Sequence, residues 1–176
     1  MAFQPAYRHL IADGLLDARA AEARRHLADC DLCARDCRVD RFRGIAGAVC
    51  HTGEHAVVHS YGPHHGEEKP IRGHAGSGTI FFSWCSLRCE YCQNWEIGRR
   101  GIGRKETPER LARIMLDLQA SGCHNINLVT PSHVVSQIIE AVAIAAPQGL
   151  NVPLVYNTGG YDSLAALKLL DGIIDI

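Results

Sequence analysis

Three cysteines fall within eight residues in the stretch "WCSLRCEYCQNW": Cys85, Cys89 and Cys92, spaced Cys-x3-Cys-x2-Cys. Three thiolates on so short a segment can wrap one corner of a cubane iron–sulfur cluster, ligating three irons and leaving the fourth open to a substrate or cofactor. A trithiolate zinc site completed by a distant residue, or a set of reduced thiols, is the competing reading. Zinc sites more often pair two Cys-x2-Cys knuckles, whereas this spacing supplies one such interval. A second group, Cys30, Cys33, Cys37 and Cys50, offers four thiolates, the full ligand count of a closed cluster or a structural zinc. Gly44 and Gly47 allow the chain to turn back so that Cys50 meets the other three. An auxiliary iron–sulfur cluster, a zinc ion and unligated thiols all remain open for this group. The eighth cysteine, Cys123, stands at the entrance to an apolar strand and reads as a buried thiol.

The composition sets limits around these groups. Of 176 residues, 47% are hydrophobic and 21% charged, with no low-complexity run, as in a globular protein. The apolar run "AVAIAA" is too short to span a bilayer, and "MAFQPAYRHL" lacks the layout of a secretion signal, so the expectation is a cytoplasmic chain with no membrane partner. In that reducing setting eight cysteines point to metal or redox chemistry rather than disulfides. A net charge of −1 argues against a nucleic-acid partner, and the basic stretch "GRRGIGRK" is short enough to be a solvated loop. His51, His55, His59, His64, His65 and His74 have no matching set of further ligands and read as ordinary histidines.

The elements that must position the thiols come in two styles. "AYRHLIADGLLDARAAEARRHLADC" reads as helix, with Leu10, Ile11, Leu15 and Leu16 as its apolar stripe and Gly14 as a break. From Asp31 to Gly78 the pattern is irregular and predicts a small cap of loops and hairpins. From Thr79 onward apolar strands alternate with amphipathic helices: "TIFFSW" as strand, Thr107 and Pro108 opening a helix with Leu111, Ile114, Met115 and Leu118 on one face, then "NINLVT", "SHVVSQIIEAVAIAA", "PLVYN", "DSLAALKLLD" and a last strand "GIIDI". This is the rhythm of βαβ units around a parallel sheet, and it predicts an α/β fold, with residues 1–78 as an N-terminal helix and Cys-rich cap and 79–176 as a βα region. Cys85, Cys89 and Cys92 then sit at the carboxyl end of its first strand, where such sheets place their chemistry. A last apolar strand with no helix after it would leave a bare edge, so further βα units are expected beyond Ile176.

On these residues the chain resembles the radical S-adenosylmethionine (SAM) superfamily: "CSLRCEYC" matches its cluster motif, with an aromatic before the last cysteine. "GSGTIFFSWCSLRCEYCQNWEI", "CDLCARDCRVDRFRGIAGAVC", "HHGEEKPIRGHAGSGTIFF", "NINLVTPSH", "VYNTGGY" and "DGIIDI" resemble the branch related to pyruvate formate-lyase activating enzymes. The resemblance implies a partial (β/α)6 barrel in which Cys85, Cys89 and Cys92 hold a [4Fe–4S] cluster and S-adenosylmethionine chelates its open iron. One electron, from a flavodoxin- or ferredoxin-type donor, cleaves the cofactor to methionine and a 5′-deoxyadenosyl radical that abstracts hydrogen from a substrate; for the activating branch this is a glycyl-radical protein. Tyr91 is placed like the residue against the adenine, and "HHGEEKP" like the rim of the substrate mouth. The superfamily usually carries a Gly-Gly-Glu segment after the second strand, where this sequence has Thr130-Pro131-Ser132-His133; Thr130 takes the amine-contact position there, and Asn157 and Thr158 are placed to reach the ribose or carboxylate. Without the resemblance, "TPSH" reads as a strand end and cap, and Asn157 onward as a turn. The family carries the four N-terminal cysteines too, usually with Pro where Ala34 stands. Two other classes compete: an iron–sulfur electron-transfer protein, and a zinc-stabilised interaction module without SAM chemistry.

Overall fold

The computed structural model describes residues 3–176. Its elements are, in chain order, α1 (Tyr7–Ala12), α2 (Leu15–Arg25), β1 (Ala56–His64), α3 (Lys69–Arg72), β2 (Ser77–Phe82), α4 (Trp95–Arg100), β3 (Arg104–Glu106), α5 (Pro108–Ala120), β4 (Ile126–Val129), α6 (Val135–Ala145), β5 (Leu154–Asn157) and α7 (Leu164–Leu170). The five strands form one open sheet in the order β3-β1-β2-β4-β5, with β2, β4 and β5 parallel and β1 antiparallel to both its neighbours. It is the α/β architecture expected from the alternating pattern.

Period-2 alternation divides the parallel strands between two faces. Ile80, Phe82, Ile126, Leu128 and Leu154 are buried against the helices. On the other face Phe81, Val129 and Asn157 share a row through the ladders, one step beyond Thr79 and Asn127. The helix layer follows from sequence as directly. Thr107 caps α5 by accepting from the Arg110 amide at 3.3 Å, and Leu111, Ile114, Met115 and Leu118 are all buried. In α6, Val135, Ile138, Ile139 and Val142 are buried and so is most of the rest, because α2 packs on its outer side. An all-round apolar helix needs such a second cover. Arg24 of α2 ties that layer down through Glu140 at 3.1 Å and Glu54.

Three expectations are corrected. Gly14, at φ 65°, does break the first helix, but the buried stripe of α2 is Leu16, Ala20 and Ala23, with Leu15 exposed and Leu10 and Ile11 only partly covered. The region between Asp31 and Gly78 holds a nine-residue strand, β1, which hydrogen-bonds into the main sheet beside β2. Residues 172–176 form no strand: Gly172, at φ 75°, closes a turn, and the hydrogen bonds to β5 are Asp175 and Ile176 donating to the Leu154 carbonyl, Tyr156 donating to that of Ile176, and the Leu154 amide donating to Asp175 Oδ2 at 2.9 Å. Among the described residues no helix is long and apolar enough to cross a membrane.

Candidate functional site

The parallel strands end side by side, and the segments leaving them converge. After β2 the chain enters the irregular loop of residues 83–94 that carries Cys85, Cys89 and Cys92, before α4 begins. Two of its non-glycine residues, Trp84 (φ 67°) and Arg88 (φ 56°), are left-handed, a conformation that costs about 1–2 kcal/mol and persists where the surroundings impose it. The surroundings at Trp84 are its amide donating to the Ile97 carbonyl at 3.0 Å, the His51 ring 4.7 Å from its own, and Gly101, where a Cβ would stand 2.0 Å from the indole. Two arginines brace the loop from outside. Arg35 donates to the carbonyls of Ser86 (2.8 Å) and Leu87 (3.2 Å), and Arg99 to that of Cys89 (2.9 Å). The stretch expected to be a solvated loop is therefore in part a support of the thiol loop. The Leu87 amide donates to Cys85 Sγ at 3.4 Å, so this sulfur already accepts a backbone bond as a thiolate ligand does.

Beside the loop lies a polar cavity of about 510 Å³ lined by Gln93 and Asn94, just past Cys92, by Phe81 and Val129 on the sheet, by Thr130, Asn157 and Thr158 at the strand ends, and by His64 and Glu67. The structure thus brings Thr130, Asn157 and Thr158 into one wall. Thr130 is itself left-handed at φ 60°, an outlier for a β-branched residue, held by its amide donating to the Asn157 carbonyl at 3.1 Å. The Thr158 hydroxyl donates to Asp162 Oδ2 at 2.6 Å and meets Ser132 Oγ at 3.2 Å, which fixes it as wall, while the Asn157 side chain is exposed to the cavity. Tyr91 is fully exposed and does not reach this cavity. "HHGEEKP" contributes Glu67, whose carboxylate accepts from buried Asn127 Nδ2 at 2.9 Å. The spacing of Gln93 and Asn94 from Cys92 was the available signal for those two; Arg35 and Arg99 carried none.

Beneath the loop, His133 is fully enclosed. Its Nε2 donates to the Ser83 carbonyl at 2.9 Å, two residues before Cys85, and burial foremost, with Arg41 assisting, lowers its pKa to about 4. It is a neutral ring. The N-terminal Cys-rich segment reaches the same loop through Arg35, and at Cys33 it pairs with Asp162 in the chain beyond β5, Ala34 donating to the Tyr161 carbonyl at 3.1 Å. Burial first of all raises the Cys33 and Cys37 thiols above their ordinary range. Cys30 and Cys50 push both further up. All eight cysteines are free thiols, and Cys123 is buried as expected. Among the described residues, no group of three or more His, Cys, Asp or Glu side chains is placed so that it could hold a metal ion.

The profile of the radical SAM superfamily matches residues 79–174, from the middle of β2 to beyond α7, which is more than half of the chain. The chain belongs to the radical SAM superfamily. Among curated proteins, an uncharacterized protein of Methanocaldococcus jannaschii is 26% identical over 177 residues, an alignment covering 94% of this chain and 49% of the relative. The chain spans about half the length of the curated relative it matches. No solved structure matches it significantly. The superfamily match encompasses the thiol loop and the cavity wall, and the relative's coverage extends the likeness into the N-terminal region.

Proposed function

We propose that Cys85, Cys89 and Cys92 hold a [4Fe–4S] cluster and that S-adenosylmethionine binds beside it in the polar cavity, the three βα units forming the first part of a partial (β/α)6 barrel. The observation that carries this reading is the placement of the thiol loop at the carboxyl end of β2, opening on a cavity walled by Thr130, Asn157 and Thr158. The donor set fits the group: three soft sulfur ligands on one loop would match three corners of a cubane, and Gln93 and Asn94, next to Cys92, line the cavity. Held by Cys85, Cys89 and Cys92, such a cluster would supply the one-electron reduction that cleaves S-adenosylmethionine and starts radical chemistry.

The chain's own residues bind, orient and shield. Arg35 and Arg99 hold the loop by its carbonyls, so the thiols keep their spacing when charge on the centre changes. Asn157, with an exposed amide at the strand end, suits the polar parts of the cofactor, and Gln93 and Asn94 add further donors and acceptors near the sulfurs. Phe81 and Val129 give the cavity an apolar floor that excludes water from a reactive radical. The activating-enzyme-like segments suggest a glycyl residue of a partner protein as substrate, and a flavodoxin- or ferredoxin-type protein in a reducing, cytoplasmic setting as donor.

The test is anaerobic reconstitution of the chain with iron and sulfide, reduction with dithionite, and chromatographic detection of 5′-deoxyadenosine from S-adenosylmethionine. The nucleoside is expected from the native chain and not from Cys89→Ala. A chain loaded with about four irons at this site that releases none would refute the reading in favour of electron transfer, and one that takes zinc there would favour the interaction module.

A further inference from the structure

Arg41 is a guanidinium with 2% of its surface exposed and, among the described residues, no carboxylate paired with it. Nε donates to the Gly53 carbonyl at 3.2 Å and Nη1 to that of His133 at 2.9 Å. Nη1 also points at Cys30 Sγ, 3.7 Å away, and Nη2, buried, has no partner at all. Arginine does not deprotonate in proteins, so the positive charge is permanent. A buried charge is paired in natural proteins, because isolation in the interior costs several kcal/mol even after relaxation. The neighbouring ring cannot supply the anion, since His133 is neutral. The sulfur atoms can.

Neutral thiols or a disulfide would leave Arg41 without a counter-charge. Four thiolates without a metal would repel one another in a buried site. A divalent zinc ion or a [4Fe–4S] cubane of charge 2+ satisfies both groups, because four thiolates around either leave a net dianion and sulfur lone pairs for N–H donors. We propose that Cys30, Cys33, Cys37 and Cys50 bind a metal centre through four thiolates, and that Arg41 is its buried counter-cation. Loading has to draw the four sulfurs together, since among the described residues no three metal-ligating side chains are so placed already. The centre lies against the radical site, since Arg35, two residues after Cys33, donates to the carbonyls of Ser86 and Leu87. Arg41 spans the same gap, holding the His133 carbonyl while that ring holds Ser83. The metal thereby fixes the N-terminal segment onto the loop that carries the other three cysteines. The proposal stands independently of the SAM reading.

The experiment uses the whole chain with Cys85, Cys89 and Cys92 all replaced by Ala, offered zinc alone or ferrous iron with sulfide under anaerobic conditions. About one zinc or about four irons per chain are expected to survive gel filtration, with zinc–sulfur distances of about 2.3 Å by X-ray absorption in the zinc case. Retention of either supports the proposal and identifies the centre; a folded chain that retains neither overturns it. Should the triple variant not fold, the native chain is loaded, alkylated with iodoacetamide with and without chelator, and mapped by mass. Chelator-dependent labelling of Cys30, Cys33, Cys37 and Cys50 is expected, and labelling indifferent to metal overturns the proposal. Arg41→Met should weaken metal retention against a competing chelator about 10- to 100-fold, and Arg41→Lys should recover part of it. Unchanged retention in Arg41→Met would remove Arg41 from the site. The triple variant lacks the ligands proposed for the SAM cluster, so its metal count reports on the N-terminal thiols alone and the two readings fail separately.

Discussion

Protonation of His133 should unlatch the strand end that carries the thiol loop, at a cost set by the burial of its ring. The ring is buried with Nε2 donating to Ser83, and its pKa falls from 6.5 to about 4, chiefly through burial and further through Arg41. The folded state therefore resists a proton that the unfolded chain accepts. Between about pH 6.5 and pH 4 the unfolded state binds more protons, so stability is present above 6.5 and is lost as pH falls through that window. At 1.36 kcal/mol per pH unit the full loss is about 3 kcal/mol, of which about 2 kcal/mol falls between pH 7 and pH 5. With a urea slope of about 2 kcal/mol per molar, the midpoint should drop by about 1 M more than in a non-titrating variant. His133→Gln is that variant, since its amide can still donate to Ser83. Urea unfolding of both chains, reduced and chelated, at pH 7 and pH 5, isolates the term because every other titrating group is shared. Parallel losses in the two chains would refute the buried neutral ring.

Four further outcomes test the positioning of the site. Gly101→Ala should destabilise the chain by about 2–4 kcal/mol in urea unfolding, because a side chain at φ 63° is strained and its Cβ would overlap the Trp84 indole; a cost under about 1 kcal/mol would mean that the indole yields readily. Thr107→Ala should cost about 1 kcal/mol by loss of the α5 cap while leaving iron content unchanged in the reconstituted chain. Arg35→Met should release iron to a chelator about tenfold faster with little change in thermal midpoint, since its two donors brace the loop from an exposed position. Asn157→Ala should weaken S-adenosylmethionine binding by up to about tenfold in equilibrium dialysis at unchanged iron content, the loss of one polar contact.

What the sequence disclosed and what it hid separate along physical lines. Helix α5 was legible in Thr107, Pro108 and a four-residue apolar face, and the parallel strands in short β-branched runs, because burial on a repeating geometry leaves a repeating pattern. Strand β1 was not, because it buries only Ala56, Val57 and Val58, shifts register between Val58 and Ser60, and carries Gly62 and Pro63 beyond. A half-exposed, bulged strand gives neither clean alternation nor a continuous apolar run. Helix α4, six residues long, is too short for periodicity to register.

The site divides in the same way, and the division explains why its supporting residues escaped notice. Cys85, Cys89 and Cys92 are conspicuous because all three are side chains of one rare type on one short loop. Arg35, Arg99, Arg41 and His133 act instead on backbone carbonyls, those of Ser86, Cys89, His133 and Ser83, at sequence separations of 51, 10, 92 and 50 residues. Every residue has a carbonyl, so such an acceptor leaves no mark on the identity of its own position. Only the donor is specified, and an arginine among 18 basic residues looks like surface until its burial is known. Arg41 stands out for a reason that no spacing encodes: it is buried, permanently charged, and lacks an acid. The same logic predicts where the anion must be, since a charge that burial cannot neutralise leaves the adjacent sulfurs as the groups able to balance it.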